Sequence, residues 1–202
     1  EQIMGKPIIS VTDEIEFMSS MGYDFIKIQP AIQFTLNRTK AAKVAGIQPS
    51  PVSIERTWAS EHKGVVTNWA EFESYPWPEI SEISYSRLES AKNVLPEGMS
   101  VIGQYGDIFT LTWEMMGFEK FSMTLYEDPD LIQAMFDKIG TLVYSMYETM
   151  SEMDWVQALW FSDDIAYATG LLINPKFYRQ YLFPHIKKMG DLAKKRNIPF
   201  LY

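Results

Sequence analysis

The residues of this chain with the clearest potential for acid–base chemistry are carboxylates near the ends of apolar segments. Asp163 and Asp164 follow the apolar run at residues 155–161 after the single residue Ser162. Glu114 lies within two helical turns of the end of an earlier apolar run. Carboxylates that converge on one mouth of an α/β fold can act as general acids or bases, bind cations or orient a metal ligand. The predicted catalytic residues are therefore Asp163, Asp164 and Glu114.

Further polar and aromatic side chains are predicted at the carboxyl ends of strands, where parallel α/β folds place their active sites. The predicted substrate-binding residues are Gln29, Gln104, Tyr105, Asp107 and Tyr167. Two alternatives stay open, a plain turn residue for Asp107 and a solvated helix face for Glu114.

The adjacent pair Asp163–Asp164 is expected to divide its roles. The next predicted helix cap is Asn174, so neither aspartate is needed as a cap. Neighbouring residues on an extended chain face opposite ways. We therefore expect one aspartate to act in the site and the other to hold the loop.

No metal ligands are predicted within this chain. It has no cysteine, which excludes disulfides and thiolate zinc sites made from this chain alone. Its two histidines, His62 and His185, lie in a long loop and in a predicted helix, and they suggest no shared metal pair.

Strands and helices alternate along the chain, and this order must position the candidate residues. Such alternation is typical of parallel β/α units, found both in a doubly wound sheet and in a (β/α)8 TIM barrel. No glycine-rich nucleotide motif is present. Both ends look cut, which favours an incomplete barrel, since barrels need ~250 residues. We predict one partial barrel domain over residues 1–202 with a long aromatic-rich loop at about 31–80. The predicted elements are helices at 10–21, 81–94, 109–126 (interrupted by Gly117), 128–153 and 174–197 (kinked at Pro184), with strands at 23–32, 99–106, 155–161 and from 198.

Local signals also predict helix ends and a buried face. Asn68, with Glu71, is expected to cap a short helix, and Asp128 and Pro129 are expected to begin the helix at 128–153. The apolar residues of that helix repeat at three- and four-residue spacing and are predicted to form a core stripe. They are Leu131, Met135, Ile139, Leu142, Met146 and Met150.

Bulk properties exclude several classes of partner. The formal net charge of −8 argues against a nucleic-acid groove, because phosphates require clustered lysine and arginine. No apolar stretch approaches the ~20 residues that span a bilayer. A cytoplasmic protein is the default expectation. An incomplete barrel would expose unpaired strand edges, so we expect the chain to associate, for example as a homo-oligomer, or to be stabilised by residues beyond it.

Three segments resemble the uroporphyrinogen decarboxylase (URO-D) superfamily, which has a (β/α)8 fold and includes cobalamin-dependent methyltransferases. They are NWAEFESYPWP at 68–78, GDIFTLTWEMMGFEKFSMTLYEDPDLIQAMFDKI at 106–139, and FSDDIAYATGLLINPKFYRQYLFPHIKKMGDLAKKRNIPFLY at 161–202. The resemblance covers most of the chain from about residue 10.

The resemblance also distinguishes branches of the superfamily. Porphyrinogen decarboxylases carry an arginine-rich N-terminal motif, which does not occur within residues 1–202 and for which a place upstream of Glu1 stays open. They also have an aspartate after the first strand, where this chain has Gln29 and Pro30. They have a tyrosine after FTLAS, where this chain reads FTLTWE with Glu114 near the equivalent place. The YPWP and SDDIA features look more like the branch of methyltransferases and O-demethylase components.

That branch implies zinc and a corrinoid. Its members usually have a His-x-Cys zinc motif immediately after the strand that begins here with PFLY, and this chain ends at Tyr202. The resemblance thus predicts a corrinoid-linked methyltransferase acting on a small molecule or a corrinoid protein. The alternatives are a carboxy-lyase acting on a tetrapyrrole and a non-catalytic binding module or inactive fragment.

Overall fold

The computed structural model describes residues 4–36, 38–40, 57–59 and 64–202. The helices are α1 (Val11–Ser20), α2 (Trp69–Ser74), α3 (Ser86–Lys92), α4 (Ile108–Met116), α5 (Phe118–Glu127), α6 (Pro129–Met150), α7 (Pro175–Phe177) and α8 (Phe183–Arg196). The strands are β1 (Phe25–Ile28), β2 (Arg38–Lys40), β3 (Thr57–Ala59), β4 (Ser100–Gly106), β5 (Val156–Ser162), β6 (Ala166–Tyr167), β7 (Gly170–Leu171) and β8 (Phe200–Leu201). A 3₁₀ turn spans Ile80–Glu82, and a π-helical segment spans Tyr178–Leu182.

The central sheet is parallel, which confirms the predicted α/β class. Its strand order is β1-β4-β5-β8, so each strand lies beside the next sheet strand along the chain. A doubly wound sheet reverses its strand order at a switch point. The sequential order seen here is that of a β/α barrel. Within the described residues the sheet stays open, and closure into a complete barrel remains a proposal.

The two faces of the sheet differ sharply in burial. Ile26, Ile28 and Leu159 are at most 3% exposed and pack into the hydrophobic core that the helices cover. Lys27 alternates with the two isoleucines and is exposed on the other face, where Trp160 is half-buried. Alternation along a strand sends successive side chains to opposite faces. The sheet therefore has one face in the core and one open face, and the open face would be the interior of a closed barrel.

Helix α6 provides the largest part of the covering layer. Asp128 caps it by accepting a hydrogen bond from the backbone N–H of Leu131 at 3.1 Å, and Pro129 begins it, as predicted. The predicted apolar stripe is confirmed as core, because all of its members are at most 4% exposed. They are Leu131, Met135, Ile139, Leu142, Met146 and Met150.

The boundaries of several elements differ from the prediction. The helix predicted at 81–94 begins only at Ser86, because Ser84 pairs in extended conformation with Ala31. The loop after β5 contains the unpredicted hairpin β6–β7. The helix predicted at 174–197 is divided into α7, the π-helical segment and α8, and the irregularity immediately precedes Pro184, which has no N–H to donate.

The loop predicted at about 31–80 contains short regular elements among its described residues. It contains the antiparallel pair β2–β3 and the short helix α2, which Asn68 caps as predicted. Trp77 packs against the core, with Tyr75 at a ring-centroid distance of 4.7 Å, whereas Trp69 is 41% exposed. His62 lies outside the described residues. In the part of the chain that the structure describes, no helix is long and apolar enough to cross a membrane.

Candidate active site

A cleft of about 490 Å³ opens at the carboxyl ends of β1 and β4. It brings together three of the predicted substrate-binding residues, Gln29, Gln104 and Tyr105. The other described residues that line it are Lys27, Pro30, Ala31, Ile32 and Arg87. These three side chains were predicted to lie together because they follow the carboxyl ends of parallel strands, and they do line one cavity although they are up to 76 positions apart in the sequence (105 − 29).

Polar side chains next to this cleft are held by specific contacts. Gln104 donates a hydrogen bond from Nε2 to Ser162 Oγ at 2.9 Å, across the β4–β5 pair. The ammonium group of Lys27 lies 4.3 Å from the ring centroid of Trp160, which pairs with Gln104 in the strand register. The side chain of Lys27 thus extends from β1 over the open face to β5.

Asp163 caps α4, and this overturns the expectation that neither aspartate caps a helix. Its Oδ2 accepts a hydrogen bond from the backbone N–H of Phe109 at 2.7 Å. Its Oδ1 accepts from both the backbone N–H and the hydroxyl of Thr110, at 3.1 and 2.8 Å. These N–H groups belong to the first turn of α4 and have no partner inside the helix. The sequence reasoning failed because it considered only the helix that follows Asp163 in the chain.

The side chain of Asp107, directly before α4, does not supply this cap. Asp107 has a left-handed backbone with φ 60°. Its backbone N–H instead donates to the carbonyl of Ser162 at 2.9 Å. A Cβ at the preceding Gly106 would lie 1.4 Å from that same carbonyl oxygen, so only glycine fits. The hydrogen bond from Asp107 and the close approach of Gly106 therefore hold the end of β4 against the end of β5.

Burial governs the ionisation of the groups around Asp163. Burial raises the pKa of the Asp163 carboxyl despite its hydrogen bonds from Phe109 and Thr110. Burial, with a smaller contribution from the Asp163 charge, raises the pKa of Tyr178 to about 12. Burial and then Asp163 also raise the pKa of Tyr202. The Asp163 carboxyl is thus largely desolvated and lies close enough to the phenols of Tyr178 and Tyr202 to raise their pKa values.

The remaining candidates lie outside the cleft lining. Asp164 is exposed directly after Asp163, and Glu114 is half-buried in the second turn of α4. Tyr167 is 73% exposed on the hairpin β6–β7. Asp107 is exposed at the end of β4. Their roles remain predictions.

The described residues do not form a zinc site by themselves, and the family resemblance places the zinc motif directly after the strand that begins with PFLY. Among the described residues, no group of three or more His, Cys, Asp or Glu side chains could hold a metal ion. Of the predicted acids, Asp163 already directs both oxygens to the start of α4. Zinc ligation requires donors that this part of the chain does not bring together.

Sequence reasoning missed two cations that line the cleft, Lys27 and Arg87. A signal for Lys27 was present, since it is the charged residue within an apolar strand of alternating pattern. Arg87 carried no such signal, because only the tertiary packing of α3 shows which of its faces meets the strand ends. Arg87 binds Glu14 of α1 through Nη2, at 2.9 and 2.8 Å from the two carboxylate oxygens.

Comparison with known proteins identifies the family. Searches of curated proteins and of solved structures found no significant match. The family model described as uroporphyrinogen decarboxylase (URO-D) matches residues 52–202, about three-quarters of the chain. Its range contains β4, β5 and β8, together with the acids that follow β4 and β5. The chain therefore belongs to the uroporphyrinogen decarboxylase family.

Proposed function

We propose that this protein is a URO-D family enzyme that catalyses corrinoid-linked methyl transfer of the O-demethylase type. The observation that carries the proposal is the chemistry of the cleft at the first strand. The end of β1 offers Gln29 and Pro30, and none of the described lining residues is a carboxylate. The acid that faces the pyrrole nitrogens in porphyrinogen decarboxylases, as the family resemblance implies, therefore has no counterpart there.

Only the role proposed for Asp163 follows from contacts in the structure, and the roles proposed for Asp164 and Glu114 rest on the sequence pattern. Asp163 is a positioning residue, because its oxygens fix the first turn of α4 beside the strand ends. Asp164 and Glu114 are the proposed acid–base or orienting groups, and neither is among the residues that line the cleft. A small methylated molecule or a corrinoid protein is the proposed partner. Zinc enters this proposal through the family resemblance alone, so no step is assigned to it.

A carboxy-lyase acting on a tetrapyrrole is the second candidate. One observation favours it: Lys27 and Arg87 line the cleft, and cations suit a substrate with several carboxylates. The absence of a described acid at the end of β1 disfavours it. The two functions therefore predict opposite outcomes with the same protein.

The test assays the complete protein with a methylated donor and a cobalamin acceptor, and in parallel with uroporphyrinogen. Methyl transfer without decarboxylation is the expected result, and decarboxylation without methyl transfer would overturn the proposal. Asp164→Asn and Glu114→Gln variants then test the named roles. If both variants keep the full rate and affinity, these acids are not part of the site.

A further inference from the structure

We infer that Lys27 binds an oxyanion group of the small molecule that occupies the cleft, and this inference rests on the proposed function for the cleft being the substrate site. Lys27 projects from the open face of β1 and lines the cleft. Its ammonium lies 4.3 Å from the ring centroid of Trp160. The ligand class is a small organic anion whose carboxylate or phosphate group reaches this ammonium.

The position of Lys27 requires an explanation. Strand residues on the inner face of a β/α barrel normally form layers of bulky apolar side chains. Lys27 stands in register with Ile102, so an apolar side chain would suit the same face. A lysine that faces a barrel interior loses hydration as the barrel closes, and a buried charge is tolerated when it is paired.

No such pair exists within the described protein. Among the described residues, Lys27 forms no ion pair with a carboxylate, and its contact is the π face of Trp160. A cation–π contact at an exposed site contributes only about 0.5–1 kcal/mol. It holds the lysine stem across the sheet, and no described carboxylate neutralises the positive charge, so an anion can still bind to it.

The described cleft lining carries positive charge, whereas the chain as a whole carries a net negative charge. The chain carries 26 acidic and 18 basic residues. The described lining of the cleft nevertheless contains Lys27 and Arg87 and no acid. Arg87 is bound by both oxygens of Glu14, which leaves Lys27 as the lining cation without a carboxylate partner in the described structure.

Neighbouring amides complete a site for an oxyanion. Gln104 uses one N–H of its amide to bind Ser162, and its second N–H is available to a ligand oxygen. Gln29 is exposed on the same cleft and offers two more amide donors. A lysine charge with neutral donors beside it binds an oxyanion by charge-assisted hydrogen bonds.

The test is a titration calorimetry comparison with the complete protein and three probes of similar size. Benzoate carries a carboxylate, phenyl phosphate carries a phosphate, and benzamide is the uncharged counterpart of benzoate. Benzoate, phenyl phosphate or both are expected to bind, and which of them binds tells the two oxyanions apart. Lys27→Met is expected to weaken anion binding roughly 10- to 100-fold and to leave any benzamide binding unchanged. Lys27→Arg is expected to keep most of it.

Lys92→Met is the matched control. Lys92 also lies over a tryptophan, 4.4 Å from the ring centroid of Trp155, but it does not line the cleft. Equal anion binding by the Lys27→Met and Lys92→Met proteins would overturn the inference. So would benzamide binding as tightly as benzoate, or no binding of either anion at millimolar concentration. None of these readouts requires methyl transfer, so failure of the proposed activity is distinguishable from failure of this inference.

Discussion

Replacing Asp163 with alanine is expected to destabilise the protein through the start of α4. Asp163 receives three hydrogen bonds, from the N–H of Phe109 and from the N–H and hydroxyl of Thr110, at 2.7–3.1 Å. Alanine removes both acceptor oxygens at once. Phe109 is 0% exposed, so water reaches its backbone poorly, and its N–H is left without a partner.

The magnitude follows from two opposing effects. Loss of a helix N-cap costs about 0.5–2 kcal/mol of unfolding free energy. The present cap serves two backbone N–H groups and one hydroxyl, which places the loss at the upper end of that range. Burial raises the pKa of Asp163, so removing the charge also relieves a desolvation penalty. The expected net loss is about 1–2 kcal/mol, and it is about half as large for Asp163→Asn, which keeps one acceptor oxygen.

Urea unfolding monitored by circular dichroism measures the effect, with Asp164→Ala as the matched control. Asp164 is the exposed neighbour, and its replacement is expected to change the free energy of unfolding by less than about 0.5 kcal/mol. If the Asp163 and Asp164 variants unfold alike, the cross-strand cap does not stabilise the protein. If Asp163→Ala is more stable than the wild type, desolvation outweighs the hydrogen bonds and the reasoning is wrong.

Four further predictions follow from the packing, the helix ends and the strand edges. In Gly140→Ala the new Cβ would lie 2.4 Å from Nδ1 of His185, so the imidazole or the helix must move. The free energy of unfolding in urea should fall by about 1–3 kcal/mol. An unchanged free energy of unfolding would show that the imidazole moves without cost. Burial lowers the pKa of His185 below its ordinary 6.5, so the stability it contributes is complete above pH 6.5 and lost as pH falls through the lowered pKa. The melting temperature should therefore be lower at pH 5 than at pH 7. An equal decrease in the His185→Gln variant would show that protonation of His185 does not cause it. Asn197 ends α8 in a left-handed conformation with φ 56°, which alanine adopts less readily than asparagine or glycine. Asn197→Ala should therefore lower the free energy of unfolding by about 1 kcal/mol, and Asn197→Gly should not lower it. Equal melting temperatures for the two variants would contradict this prediction. The edges of β1 and β8 are unpaired in the described sheet, so light scattering of the 202-residue chain should show association. A monomeric mass would contradict this prediction.

Local signals in the sequence were sufficient for most of the elements. The N-caps Asn68 and Asp128 each lie three residues before the N–H group that they bind, so they could be read without tertiary information. The apolar periodicity of α6 identified its buried face for the same reason. The hairpin β6–β7 depends instead on two-residue strands that carry no periodic pattern.

The candidate cleft could be predicted in part from the strand ends, whereas contacts between residues distant in the sequence could not. Gln29, Gln104 and Tyr105 were placed in one cleft because parallel strands end at one edge. The bonds from Asp163 to α4 join residues 53 and 54 positions apart, and no spacing in the sequence indicates such a cap. An aspartate that caps a neighbouring β/α unit has the same local sequence as one that faces a substrate.

The cap changes how activity losses at the acidic pair should be interpreted. Asp163 joins the end of β5 to the helix that follows β4, and the Asp107 N–H bound to Ser162 joins the same two segments. A loss of activity in an Asp163 variant can therefore arise from a displaced α4, which carries Glu114. Such a loss should accompany a loss of stability and should be smaller in Asp163→Asn than in Asp163→Ala. Asp164 is exposed, so a loss of rate in Asp164→Asn at unchanged stability would assign the chemistry to that residue.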